Sequence, residues 1–160
     1  MTTFLIFLHV AAAILLLGPV VVSTSMFPRQ AAESRTGGEE ATGRASVLYR
    51  ITKTYGMLSL LVPLLGAAVL AFDWDAYKSN YWFHTAIVLS VIAWALLLAM
   101  VIPQQRKMMG SLGALPASDA DPSDLTENFE KSKAKATAGA GIFNLLWMLT
   151  LILMFLPSPA

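Results

Sequence analysis

The chain predicts an all-α polytopic membrane protein, a bundle of four transmembrane helices, and three observations carry that prediction. Four apolar stretches, Phe4–Val22, Tyr55–Phe72, Tyr81–Ile102 and Ala138–Leu156, reach or approach the length of a membrane span. A helix needs roughly 20 residues to cross about 30 Å of hydrocarbon, so three fit well and the second is marginal. Charged residues make up 13% of the chain and apolar residues 56%, against about 25% charge in a soluble domain. Finally, ten of the eleven basic residues fall in the two long connections between spans. Lipid offers the backbone no hydrogen bonds, so spans of this kind must be helical.

The placement of charge orients the bundle. Arg29, Arg35, Arg44, Arg50 and Lys53 lie between spans one and two; Arg106, Lys107, Lys131, Lys133 and Lys135 lie between spans three and four. The short connection between spans two and three holds only Lys78, beside Asp73 and Asp75. The positive-inside rule therefore predicts cytoplasmic loops at 27–54 and 103–137 and both termini outside. The first span lacks a basic n-region and a small-x-small cleavage pattern, so it is expected to be retained. Cysteine is absent, which excludes disulfides and thiolate chemistry. The whole chain, 1–160, reads as a single membrane domain.

Taken in order, span one runs without an internal charge to Val22. The first loop contains Thr36-Gly37-Gly38-Glu39-Glu40, read as a flexible break, after which Arg44–Lys53 is expected to be helical and to enter span two directly. Pro63 removes a backbone donor mid-span and should kink that helix, with a neighbouring helix or a side chain compensating. Asp73, Trp74, Tyr77, Tyr81 and Trp82 crowd the outer turn as an interfacial aromatic belt. Pro103 is expected to close span three, and the Gly-, Ala-, Ser-, Pro- and Asp-rich segment Ser111–Pro122 to be mobile. Asp124-Leu-Thr-Glu127 has capping-box spacing and predicts a helix start that continues through Lys131, Lys133 and Lys135 into span four. Asp119, Asp121 and Asp124 lack the Gly and distal Glu of a calcium loop, so no metal is expected there.

Only two ionisable side chains fall within the spans, His9 and His84. Each lies in the first turns of an inward-running helix, which predicts similar depth from the outer surface. Two imidazoles so placed could act as axial ligands of haem b or hold another metal; alternatively each hydrogen-bonds a carbonyl near a helix end. Asn144, Thr150, Ser59 and Ser90 are expected to make helix–helix hydrogen bonds. Ala67-x-x-x-Ala71 and Ala136-x-x-x-Ala140, the latter with Gly139 and Gly141, are small-xxx-small patterns that let helices or partners approach closely. No nucleophile–base pair, phosphate loop or nucleic-acid motif is present, so neither an enzyme nor a nucleic-acid partner is expected.

Phe7-Leu8-His9-Val10-Ala11-Ala12 with Gly18, then Tyr55-Gly56, Pro63, Gly66, Ile102-Pro103-Gln104-Gln105-Arg106 and a short Pro-containing C terminus form a pattern over essentially the whole chain. It resembles a bacterial family of predicted four-helix integral membrane proteins of unknown function, which implies the four-helix fold. The Phe-Leu-His9 opening is also similar to the first helix of CopD-type and HemJ-type membrane proteins. That likeness implies copper or haem handling by His9, with His84 as the second candidate. Small proteins similar to this one occur as accessory subunits of MCE-type lipid-import ABC transporters. This implies a non-enzymatic role, without a cofactor, docked among membrane lipids on a larger integral membrane complex. The alternative is a small haem b- or metal-binding redox protein using His9 and His84.

Overall fold

The computed structural model describes residues 1–156, and its regular structure is helical throughout. Four long helices, α1 (Thr2–Glu33), α2 (Gly38–Phe72), α3 (Tyr81–Ser111) and α4 (Phe129–Phe155), are each long and apolar enough to cross a membrane. The fold is therefore the expected all-α four-helix bundle of a multi-pass membrane protein. Each helix packs on two antiparallel neighbours: α1 on α2 and α4, α3 on α4 and α2. Helices α1 to α3 have 31 to 35 residues, or about 50 Å at 1.5 Å per residue, so they outreach a hydrocarbon core of about 30 Å by several turns.

The excess length is at one end, where the charged residues lie. Here α1 continues through Pro28 to Glu33, α2 begins at Gly38, and α3 continues through Pro103 to Ser111. Pro103 thus does not close span three. A wider, π-type turn at Leu97–Val101 immediately precedes Ile102-Pro103, and another at Ala13–Leu17 precedes Gly18-Pro19. A widened turn gives the pyrrolidine ring room beside the carbonyl it would otherwise strike, so the helix survives a residue that ordinarily stops it. The segments 27–54 and 103–137 are accordingly mostly helix. The expected flexible break contracts to a tight turn in which Gly38 adopts φ 68°, a conformation that favours glycine.

Two apolar clusters fill the bundle. Near the charged end, Phe27 and Ala31 of α1, Ala45 and Tyr49 of α2, Met108 and Met109 of α3, and Phe129 and Ala136 of α4 are buried together. Further along, Val20, Val62, Leu97, Val101, Phe143 and Trp147 form the second cluster. At the opposite end, which carries the Trp74–Tyr77 helical turn, packing thins out: no residue of Thr2–Ala12 is buried.

Pro63 acts as expected, one turn upstream. Regular α-helical structure lapses at Ser59–Leu60, and the Leu60 amide donates to the Met57 carbonyl rather than to that of Gly56. The released Gly56 carbonyl accepts from Ser59 Oγ (2.7 Å) and from the Trp94 indole of α3 (3.1 Å). Both forms of compensation are present, and the second also ties α2 to α3.

The start of α4 differs in detail from the expectation. The capping box is Asp121 with Asp124, one turn earlier than Asp124 with Glu127, and it begins the short helical turn Pro122–Thr126. Helix α4 itself is capped by Asn128, whose side chain accepts from the Lys131 amide, and then runs unbroken to Phe155. Pro122 at the first helical position favours this earlier start. The Pro-containing C terminus (Pro157, Pro159) lies outside the described residues.

Candidate functional site

The two histidines occupy different settings. His9 Nδ1 lies 3.0 Å from the Val62 carbonyl of α2, and since a carbonyl only accepts, Nδ1 carries the proton. Gly66 makes this approach possible: a Cβ there would stand 3.1 Å from His9 Cε1. His84 Nδ1 donates to the carbonyl of Asn80 (3.0 Å), the cap of its own helix, and its ring meets the edge of Trp74 at 6.0 Å. His84 therefore sits against the Trp74–Tyr77 turn, whereas His9 sits against the segment of α2 around Pro63. In both rings Nε2 is the nitrogen left without a protein hydrogen bond. Nδ1–H anchored to a carbonyl with Nε2 free is also the arrangement of a ligating histidine. Among the described residues, no group of three or more His, Cys, Asp or Glu side chains is gathered.

The small-residue patterns divide. Ala136 and Ala140 are buried, and Gly139 lets α4 close on α3, since a Cβ there would lie 3.1 Å from Val101 Cγ2. That stripe is used for internal packing and leaves no face for a partner. Ala67 is half-buried and Ala71 exposed. Of the four expected helix–helix hydrogen bonds, only Asn144 makes one, to Ser25 Oγ of α1 at 2.9 Å. Ser59, Ser90 and Thr150 instead donate to carbonyls three or four residues back in their own helices. A hydroxyl within a helix always has such a carbonyl in reach.

An ionic strap lies at the charged end, and sequence reasoning missed it. The segment between α3 and α4 folds back along α2 and α3 and is pinned there. Arg106 engages Asp124 through both terminal nitrogens, at 3.0 and 3.2 Å, and also donates to the Asp119 carbonyl at 2.7 Å. Lys53 reaches Asp119 at 2.8 Å and Lys107 reaches Glu127 at 2.6 Å. Asp124 is buried and also accepts from the Asp121 amide at 2.8 Å. Gly110 makes room for it: a Cβ at 110 would stand 2.6 Å from Asp124 Cβ. The Ser111–Pro122 segment is held in place by these contacts. The one signal of it in the sequence is the run Asp119, Asp121 and Asp124 opposite the basic pair Arg106 and Lys107.

Lys53, donating to the carboxylate, holds Asp119 below its ordinary value of 3.8. A depressed carboxyl value means that this contact stabilises the folded chain above that pH and is lost as pH falls through the lower folded value. Hydrogen–deuterium exchange at the strap amides, corrected for intrinsic rates, should be unchanged from pH 7 to 5 and rise below about pH 4. In Asp119→Asn it should be raised already at pH 7.

Searches against protein-family models, curated proteins and solved structures find no match to this chain.

Proposed function

We propose that the protein is a non-enzymatic accessory subunit of a larger bacterial inner-membrane complex. It would stand with its charged end in the cytoplasm and its termini outside, and a lipid-import ABC transporter of the MCE type is the candidate host. The observation that carries this reading is the outer half of α1. It rests on α2 by one side only, and Phe4, Phe7, Val10 and Ile14 form an exposed stripe at helical spacing. Gly18 continues the stripe, with nothing within 4 Å of where its Cβ would be. Large side chains followed by a gap suit the close approach of a partner helix, because association in lipid depends on packing and not on water exclusion.

Gly18→Trp tests this. Position 18 is exposed and a Cβ there has nothing within 4 Å, so the variant should insert and fold as wild type yet lose its membrane partners on native purification. Retention of every partner by a folded Gly18→Trp protein would remove α1 as the docking face.

A second reading, a haem b or metal redox protein using His9 and His84, is favoured by one observation: both rings are anchored through Nδ1 with Nε2 free. It predicts a Soret band in freshly purified protein that His9→Ala and His84→Ala each abolish.

A further inference from the structure

A groove of about 530 Å³ lies between α1 and α4 at the charged end, lined by Ser25, Pro28, Arg29 and Glu33 of α1 with Lys133 and Thr137 of α4. Its level follows from the sequence. Ser25 stands just beyond Val22, where the first apolar stretch ends, and Thr137 just before Ala138, where the last begins. Arg29 and Lys133 lie one turn further out on the two helices, at the height of lipid headgroups.

Both cations have charge to offer. Arg29 uses Nε for Glu33 at 2.9 Å and leaves its two terminal nitrogens without an acceptor, on a side chain that is 84% exposed. The acid nearest Lys133, Glu130, is 3.9 Å away and is itself held by Arg35 at 2.7 Å. With Glu33 as the one acid in the lining, the groove carries a single excess positive charge. A guanidinium and an ammonium facing across a groove are a phosphate-binding pair.

Ser25 is itself held in place: its Oγ accepts from Asn144 Nδ2 of α4 and donates to the Val21 carbonyl at 2.7 Å, so a hydrogen bond ties the two helices beside the groove. One turn further into the apolar stretch, on the same face of α4 as Thr137, Gly141 has open space where a Cβ would be. A headgroup in the groove therefore has an unfilled track beside it for an acyl chain.

The geometry points to a binding site for one anionic glycerophospholipid of the inner leaflet, its monoanionic phosphodiester seated between Arg29 and Lys133 and an acyl chain passing Gly141. The site rests on the membrane orientation proposed above, not on the identity of any partner complex. Because the chain has no cysteine, labelling of a Glu39→Cys variant with a membrane-impermeant maleimide checks that footing separately: a cytoplasmic charged end stays unlabelled in intact spheroplasts and is labelled after lysis.

The test uses full-length protein, delipidated in mild detergent and offered equimolar phosphatidylglycerol and phosphatidylcholine, with bound lipid counted by native mass spectrometry. Wild type should retain at least fivefold more phosphatidylglycerol. Arg29→Gln with Lys133→Gln should bring the two lipids to parity, whereas Arg44→Gln with Lys78→Gln, the same change in net charge elsewhere, should keep the preference. Gly141→Leu leaves both cations in place and should also lose the lipid, which covers the case of a double variant that fails to fold. Parity in wild type, or preference retained in the folded double variant, would overturn the proposal. Displacement of the lipid by tenfold excess inorganic phosphate would assign the groove to a free anion instead.

Discussion

Phe27→Ala should be the most damaging single substitution in the core, costing about 3–5 kcal/mol. Phe27 is fully buried and packs on Tyr49 with ring centroids 6.5 Å apart. Its cluster lies where the helices have left the apolar stretches, so burial there withdraws side chains from water and draws on the hydrophobic effect as well as on packing. Phe143, equally buried, lies within the last apolar stretch, where lipid tails are as apolar as the bundle interior. Phe143→Ala should therefore cost about half as much, through lost packing alone. Unfolding in mixed micelles of mild detergent and SDS, followed by far-UV circular dichroism, measures both. Equal costs would mean that the charged-end cluster has no special weight in holding the bundle.

Asp124→Ala should release the strap and cost about 2–3 kcal/mol. Breaking a buried ion pair by removing one partner typically costs about 3–5 kcal/mol, and Arg106 remains partly open to solvent, which reduces the figure. The loss includes the carboxylate that accepts from the Asp121 amide and caps the turn before α4. Gly110→Ala should give the same outcome from the other side, because its Cβ would collide with Asp124 Cβ and Cγ. Limited proteolysis should then cut between Leu112 and Asn128 in both variants at protease levels that leave the wild type intact. A strap that stays resistant in both would show that Lys53–Asp119 and Lys107–Glu127 suffice to hold it.

The spans were legible because hydropathy over some twenty residues is a local property that the bilayer imposes on the chain. The effect of Pro63 was legible for the same reason, since a lost donor in lipid demands a replacement acceptor or donor nearby. What escaped is what depends on partners distant in sequence. Pro103 looks like a helix stop, and only the tertiary bundle, with a widened turn ahead of it, carries the helix through. Ser59, Ser90 and Thr150 looked like interhelical contacts, yet each donates to a carbonyl about one turn back in its own helix. Asp124 could not be matched to Arg106 from spacing, because the pairing exists only after the strap folds back. His9 and Gly66 were visible singly, but their contact required the fold. The small-residue stripe of α4 was read as a face for either helices or partners to approach, and which of the two meets it required the fold: Gly139 packs against Val101 and Met100 of α3.

On the function proposed above, the protein works as part of a larger membrane assembly. The most direct measurement is native purification from bacteria carrying a chromosomal C-terminal tag, in mild detergent, with particle mass, subunit stoichiometry and absorption spectrum recorded on one sample. The account predicts a colourless particle several times heavier than the chain, containing stoichiometric permease and ATP-binding subunits. A species of the chain's own mass, or one with a haem spectrum and no other polypeptide, would contradict it.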